Sequence, residues 1–185
     1  MRIKESAIER SRVMLFAVLI AIMAAVVSAN AQQSPASPPG TASVTFAGGK
    51  TVTINYGRPS MRGRQIFGGL VPYGQVWRTG ANAATSLKTD VDLTIGGAHV
   101  PAGSYTLYSI PNENGWKLII NKQTGQWGTH YDEGQDLARV DMKVSKNASP
   151  TEQFTISLDK TSGTAATLKL DWASTTASVN VAEKK

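Results

Sequence analysis

The sequence predicts an all-β protein, a two-layer antiparallel β-sandwich of about ten short strands. Three observations point there. Apolar and polar residues alternate over short runs from Ser43 to Val181, the period of a strand with one face buried. Turn-forming groups (Gly48-Gly49, Gly96-Gly97, Asn114-Gly115, Ser162-Gly163) separate those runs at short intervals. No run after the first 31 residues keeps a helical period. Sheets that are apolar on one side bury that side against each other, which gives two layers. A closed β-barrel is the alternative.

Each element has its own reason. Val44 and Phe46 alternate with Ser43 and Thr45, Gly48-Gly49 turns the chain, and Val52, Ile54 and Tyr56 alternate with Thr51, Thr53 and Asn55, which predicts a hairpin. A Gly- and Arg-rich stretch, Tyr56 to Asn82, interrupts the pattern. Strands resume at 85–88 and 91–95, where Val91, Leu93 and Ile95 share a face. Gly96-Gly97 leads into Ala98-His99-Val100, and Pro101-Ala102-Gly103 into the Tyr/Thr-rich run 104–110. Asn114-Gly115 predicts a hairpin into Trp116, Leu118 and Ile120. Residues 122–136 have no period and predict a long loop carrying Trp127, His130 and Tyr131. Further strands are expected at 139–146, 153–159 and 164–172, with a turn at 147–150, and Val179 and Val181 close the set.

Residues 1–31 read as a secretory signal peptide. Arg2, Lys4, Arg10 and Arg12 make a basic start, Val13 to Val27 is an uninterrupted apolar run of 15 residues, and Ala29-Asn30-Ala31 supplies small residues for cleavage after Ala31. The run is short for a bilayer span, which needs about 20 apolar residues, so no stable membrane span is expected after cleavage. Residues 32–41 are a Pro/Ser-rich linker, and 42–185 a single β-sandwich domain. With no cysteine, the chain has neither disulfides nor thiolate metal sites. The expected location is the periplasm or beyond.

Charge is unevenly spread. Residues 32–89 carry six bases and no acid; residues 90–185 carry nine bases and eleven acids. The basic half suits an anionic partner, or a neutralising contact with the acidic half. Nucleic acid is not expected as a partner of an exported chain.

The run GRPSMRGRQIFGGLVPYGQVWRTGANAAT, residues 57–85, resembles the signature of a bacterial family called domain of unknown function 2911. The resemblance continues through PAGSYTLYSIP at 101–111, GWKLIINK at 115–122 and QWGTHYDEGQDLARV at 126–140. It covers roughly Ala42 to Leu158, most of the chain beyond the signal peptide. Members are typically exported bacterial proteins without an established activity, so the resemblance implies export and supplies no catalytic residues.

The residues are therefore read on their own chemistry. A guanidinium offers five donors in a planar fork that suits carboxylate, phosphate or sulfate. Arg58, Arg62, Arg64 and Arg78 lie in a stretch with six glycines and no acid, where a backbone can approach a ligand closely. The competing reading pairs them with Asp132, Glu133, Asp136 or Asp141 and makes the domain an envelope scaffold. Trp77, beside Arg78 and Asn82, offers a stacking plane with hydrogen-bonding groups, or else belongs to the core with Trp116. Tyr73, Tyr105, Tyr108 and Tyr131 are further aromatic contributors. Trp127, in an aperiodic loop, is the better ligand contact.

His130 with Asp132 and Glu133 is a weak metal pattern lacking His-Glu-x-x-His, and neither metal nor cofactor is expected. His99 reads as a surface or hydrogen-bonded residue. No Gly-x-Ser-x-Gly elbow occurs, and Ser60 has no identifiable base. The sequence supports first a binding module for an anionic or glycan-like ligand, using Arg58, Arg62, Arg64, Trp77, Arg78, Asn82, Trp127 and His130. Second comes an exported hydrolase with His130 or an acid of 132–141 as general acid/base; third, a structural envelope protein.

Overall fold

The computed structural model describes residues 36–185. The expected signal peptide and residues 32–35 of the expected linker lie outside them. Nine strands form an all-antiparallel arrangement: β1 (Pro39–Thr45), β2 (Thr51–Gly57), β3 (Thr85–Thr89), β4 (Leu93–Ile95), β5 (Ala98–Val100), β6 (Gly103–Ile110), β7 (Trp116–Asn121), β8 (Asp136–Ser162) and β9 (Ala165–Glu183). Two three-residue 3-10 turns, Ala47–Gly49 and Glu133–Gln135, are the helical elements among the described residues, and no helix there is long and apolar enough to cross a membrane.

The strand order is β1-β2-β3-β6-β7-β8-β9-β4-β5. The array does not close into a barrel, and its two ends, β1 and β5, remain edges. It folds into two layers through β8. Residues 136–142 of β8 pair with β7, and residues 143–162 pair with β9, so one strand serves both sheets. The inward residues of both layers form one core, with Ile54, Leu93, Leu107, Leu118, Ile120 and Phe154 fully buried.

Nine strands stand where about ten were expected: two of the breaks between the eleven runs set out above are bends within long strands. The turn expected at 147–150 lies inside β8, where the register against β9 shifts between Lys146 and Thr151. Pro150 falls in that gap, where its missing N–H costs no ladder bond. In β9, Ala173 sits at φ 52° beside a similar irregularity, so the runs expected at 164–172 and 179–181 are one strand. At the other end, β1 takes in Pro39 to Thr41, residues expected in the linker.

The Gly/Arg stretch leaves the end of β2 and returns at β3. Before it turns away it pairs with β8. Phe154 N–H donates to the Pro59 carbonyl and Met61 N–H to the Glu152 carbonyl, each at 2.8 Å, around a bridge between Ser60 and Gln153. Tyr56 works the same seam: its hydroxyl accepts from Ile156 N–H at 2.8 Å and donates to the Ile156 carbonyl at 3.3 Å. These bonds satisfy β8 backbone groups that have no strand partner on that side.

Candidate functional site

Close backbone contact fixes the two ends of the Gly/Arg stretch. A Cβ added to Gly57 would lie 2.2 Å from the Ala81 carbonyl oxygen, so only glycine fits there. Thr79 is fully buried, donates from its hydroxyl to Ser109 Oγ at 2.9 Å, and accepts from Thr85 Oγ1 on its carbonyl at 2.8 Å. It does so at φ 53°, an unusual conformation for a β-branched residue. Arg62 at φ 50° and Asn82 at φ 64° are also left-handed. Ala173 is the remaining non-glycine residue with positive φ among the described residues. All four line or adjoin one cavity, and strained backbone of this kind gathers where geometry serves a site.

That cavity has a volume of about 330 Å³ and is lined by Arg62, Arg64, Trp77, Arg78 and Asn82, together with Ser60, Leu70 and Trp172. Five of the eight sequence-derived candidates therefore meet in one place. Ala36 and Ser37 also reach its wall: Asn82 Nδ2 donates to the Ser37 carbonyl at 3.2 Å and Arg62 Nη2 to the Ala36 carbonyl at 3.3 Å. A second, larger cavity of about 570 Å³ lies alongside, between Val76, Tyr108, Gly128, Thr129 and Tyr131. Leu70, Val71, Trp77 and Arg78 line both.

None of the four arginines ion-pairs with an acid among the described residues. The acids expected to pair with them are used elsewhere. Asp136 and Glu133 bind Arg139 at 2.8 and 2.7 Å, Asp141 binds Lys117 at 2.7 Å, and the Asp132 carboxylate accepts from Gly134 N–H at 2.9 Å. Arg64 folds back on its own loop, donating to the Met61 and Ser60 carbonyls at 2.9 and 2.7 Å. Arg78 is half-buried and has neither a hydrogen-bond nor an ion-pair partner among the described residues. Its stem is held by Gly128: a Cβ there would lie 2.6 Å from Arg78 Cδ and 2.9 Å from the Asn82 carbonyl oxygen.

Three candidates fall outside the cavities. Arg58 is structural, donating from Nε to the Phe154 carbonyl at 3.3 Å and from Nη2 to Thr155 Oγ1 at 3.0 Å. Trp127 is 52% exposed and bridges to Ala83, beside the site but lining neither hollow. His130 is exposed, and its carbonyl, not its ring, is engaged, accepting from the Tyr108 hydroxyl at 3.3 Å. Trp77 belongs to both readings given to it. It lines both cavities and also stacks on Trp172, with ring centres 5.8 Å apart and planes at 17°, within a group including Phe67, Trp116 and Phe154.

Leu70, Val71, Val76, Gly128 and Thr129 line these cavities without having been expected there. Leu70 (49% exposed) and Val76 (38% exposed) carried a signal, being apolar in a Gly/Pro-rich stretch with no strand period to bury them. Among the described residues, no three His, Asp or Glu side chains cluster as a metal ion requires.

No curated protein and no solved structure matches this chain. The sequence model of a protein family does, over residues 37–181, a span that holds the arginine stretch and, Ala36 apart, the lining of both cavities. The chain belongs to the family described as protein of unknown function, DUF2911.

Proposed function

We propose that this is an exported binding module that holds an anionic or polar, glycan-like ligand through its Arg/Gly-rich loop. One observation carries the reading: Arg62, Arg64 and Arg78 line a single cavity with Trp77 and Asn82, and no acid among the described residues ion-pairs with their guanidinium groups, the nearby Glu152 carboxylate accepting instead from the Arg62 backbone N–H at 2.9 Å. A half-buried guanidinium without a partner has lost part of its hydration and gains from an anion that supplies charge-assisted hydrogen bonds. Pinned stems and loop backbone leave little ordering cost for binding. The cavity volumes lie in the range that holds a small ligand. Export rests on the basic start, the apolar run and the Ala29-Asn30-Ala31 site.

The test is a screen of glycan and small-anion arrays, followed by calorimetric titration of the hits. Arg78→Ala should weaken binding at least about tenfold, the equivalent of one charge-assisted contact. Arg58→Ala should lower stability and leave affinity unchanged. Arrays without a hit, or an Arg78→Ala variant that binds like the parent, overturn the reading.

A further inference from the structure

We infer that the ligand is an amphipathic anion, an ionised phosphate, sulfate or carboxylate carrying an aromatic or alicyclic body. The head occupies the arginine-lined cavity, and the ring occupies the tyrosine-lined cavity beside it. This deepens the anion-site reading and rests on it.

The argument starts from what the larger cavity offers. Its two tyrosines have no hydroxyl to spare. Tyr108 donates to the His130 carbonyl at 3.3 Å and accepts from Gln126 Nε2 at 3.1 Å. Tyr131 donates to Asp136 Oδ2 at 2.7 Å and accepts from Arg139 Nη2 at 2.8 Å. The two rings pack edge to face at 4.9 Å, held by those bonds. Tyr108 is only 1% exposed and backs Tyr131, so what the pair presents to a visitor is the Tyr131 ring.

Leu70 and Val76 complete the lining, and both stand exposed. Exposed apolar side chains rimming a concave surface mark a place that some apolar group covers. Gln75, Thr129 and Arg78 are the polar side chains left to a polyol here, too few to replace the water stripped from every hydroxyl of a sugar ring, an arrangement that costs affinity. A ring gains by burial and by stacking.

Charge complementarity fixes the orientation. Arg78 lines both cavities, and Arg62 and Arg64 line only the smaller one. Leu70, Val71, Trp77 and Arg78 form a border shared by the two cavities, with the cationic groups to one side of it and the apolar ones to the other. A single molecule carrying both an ionised head and a ring meets both sets of groups at once.

Calorimetric titration of the whole protein with two matched sets tests this. The first is inorganic phosphate, phenyl phosphate and glucose 6-phosphate; the second is acetate, benzoate and glucuronate. In at least one set the aromatic member should bind tenfold or more tightly than both the bare head and the sugar. Val76→Ser, at an exposed position that leaves the fold intact by circular dichroism, should cut the ratio of aromatic to bare-head affinity at least threefold. If bare head and aromatic member bind alike, or the sugar binds tightest, the amphipathic ligand is overturned and the anion site stands. If no member of either set binds, the anion site itself falls, and this inference with it.

Discussion

Gly128 and Arg78 are packed so closely that a single methyl group on the glycine would meet the arginine stem at 2.6 Å. The loop after β7 thus holds in place a cation from the loop before β3. Gly128 N–H also donates to the Asn82 carbonyl at 3.2 Å, which ties the same two loops by their backbones.

Gly128→Ala should therefore move Arg78. Overpacking of this kind costs about 1–3 kcal/mol. The expected result is a lower urea midpoint together with weaker binding of whichever anion the arrays reveal. Unchanged values of both would show that the contact has slack.

Tyr56 and Ile156 exchange two hydrogen bonds at a buried position. Tyr56→Phe leaves the Ile156 amide and carbonyl without partners. An unsatisfied buried group costs about 1–3 kcal/mol. Chemical denaturation should show a loss in that range with an unchanged slope, because the surface exposed on unfolding stays the same.

Gly57 and Gly115 form a matched pair of opposite expectation. A Cβ on Gly57 would meet the Ala81 carbonyl oxygen at 2.2 Å, and backbone cannot swing aside; a Cβ on Gly115 would meet nothing within 4 Å. Gly57→Ala should cost at least about 3 kcal/mol or prevent folding. Gly115→Ala should be neutral or stabilise slightly, by restricting the unfolded chain. Thermal melts of the two variants side by side check both.

Alkaline pH probes the loop that walls the larger cavity. Burial first, and then the hydrogen bond to Asp136, push the Tyr131 phenol up to about 12 from its ordinary 10.0. The folded protein holds this proton more tightly than the unfolded chain does. The contribution is whole below about pH 10 and is lost as the pH climbs through about 12. Urea midpoints across that window should fall in the parent protein and fall less in Tyr131→Phe.

The class of fold was legible because the pleat has a period of two. Val52, Ile54 and Tyr56, or Leu168, Leu170 and Trp172, announce a buried face within a few residues of one another. The number of strands was less legible. Asn147 to Pro150 has the composition of a turn, yet tertiary pairing with β9 carries the chain straight through as a bulge. The acid-free arginine stretch was visible as a site because composition alone sets it apart. Its division of labour was not, since Arg58 and Arg62 look equivalent four residues apart.

What the sequence determined by itself is therefore local in origin: alternation, turn chemistry, the family signature and the grouping of arginines. The tertiary structure alone decided that Arg58 ties down β8 while Arg78 faces a cavity, that Trp77 stacks on Trp172, and that Leu70 and Val76 share a chamber with Tyr108 and Tyr131. The physical reason is the folding of β8 through both sheets. A cavity wall gathers side chains from segments far apart along the chain, and no short-range pattern records which of them the packing will bring together.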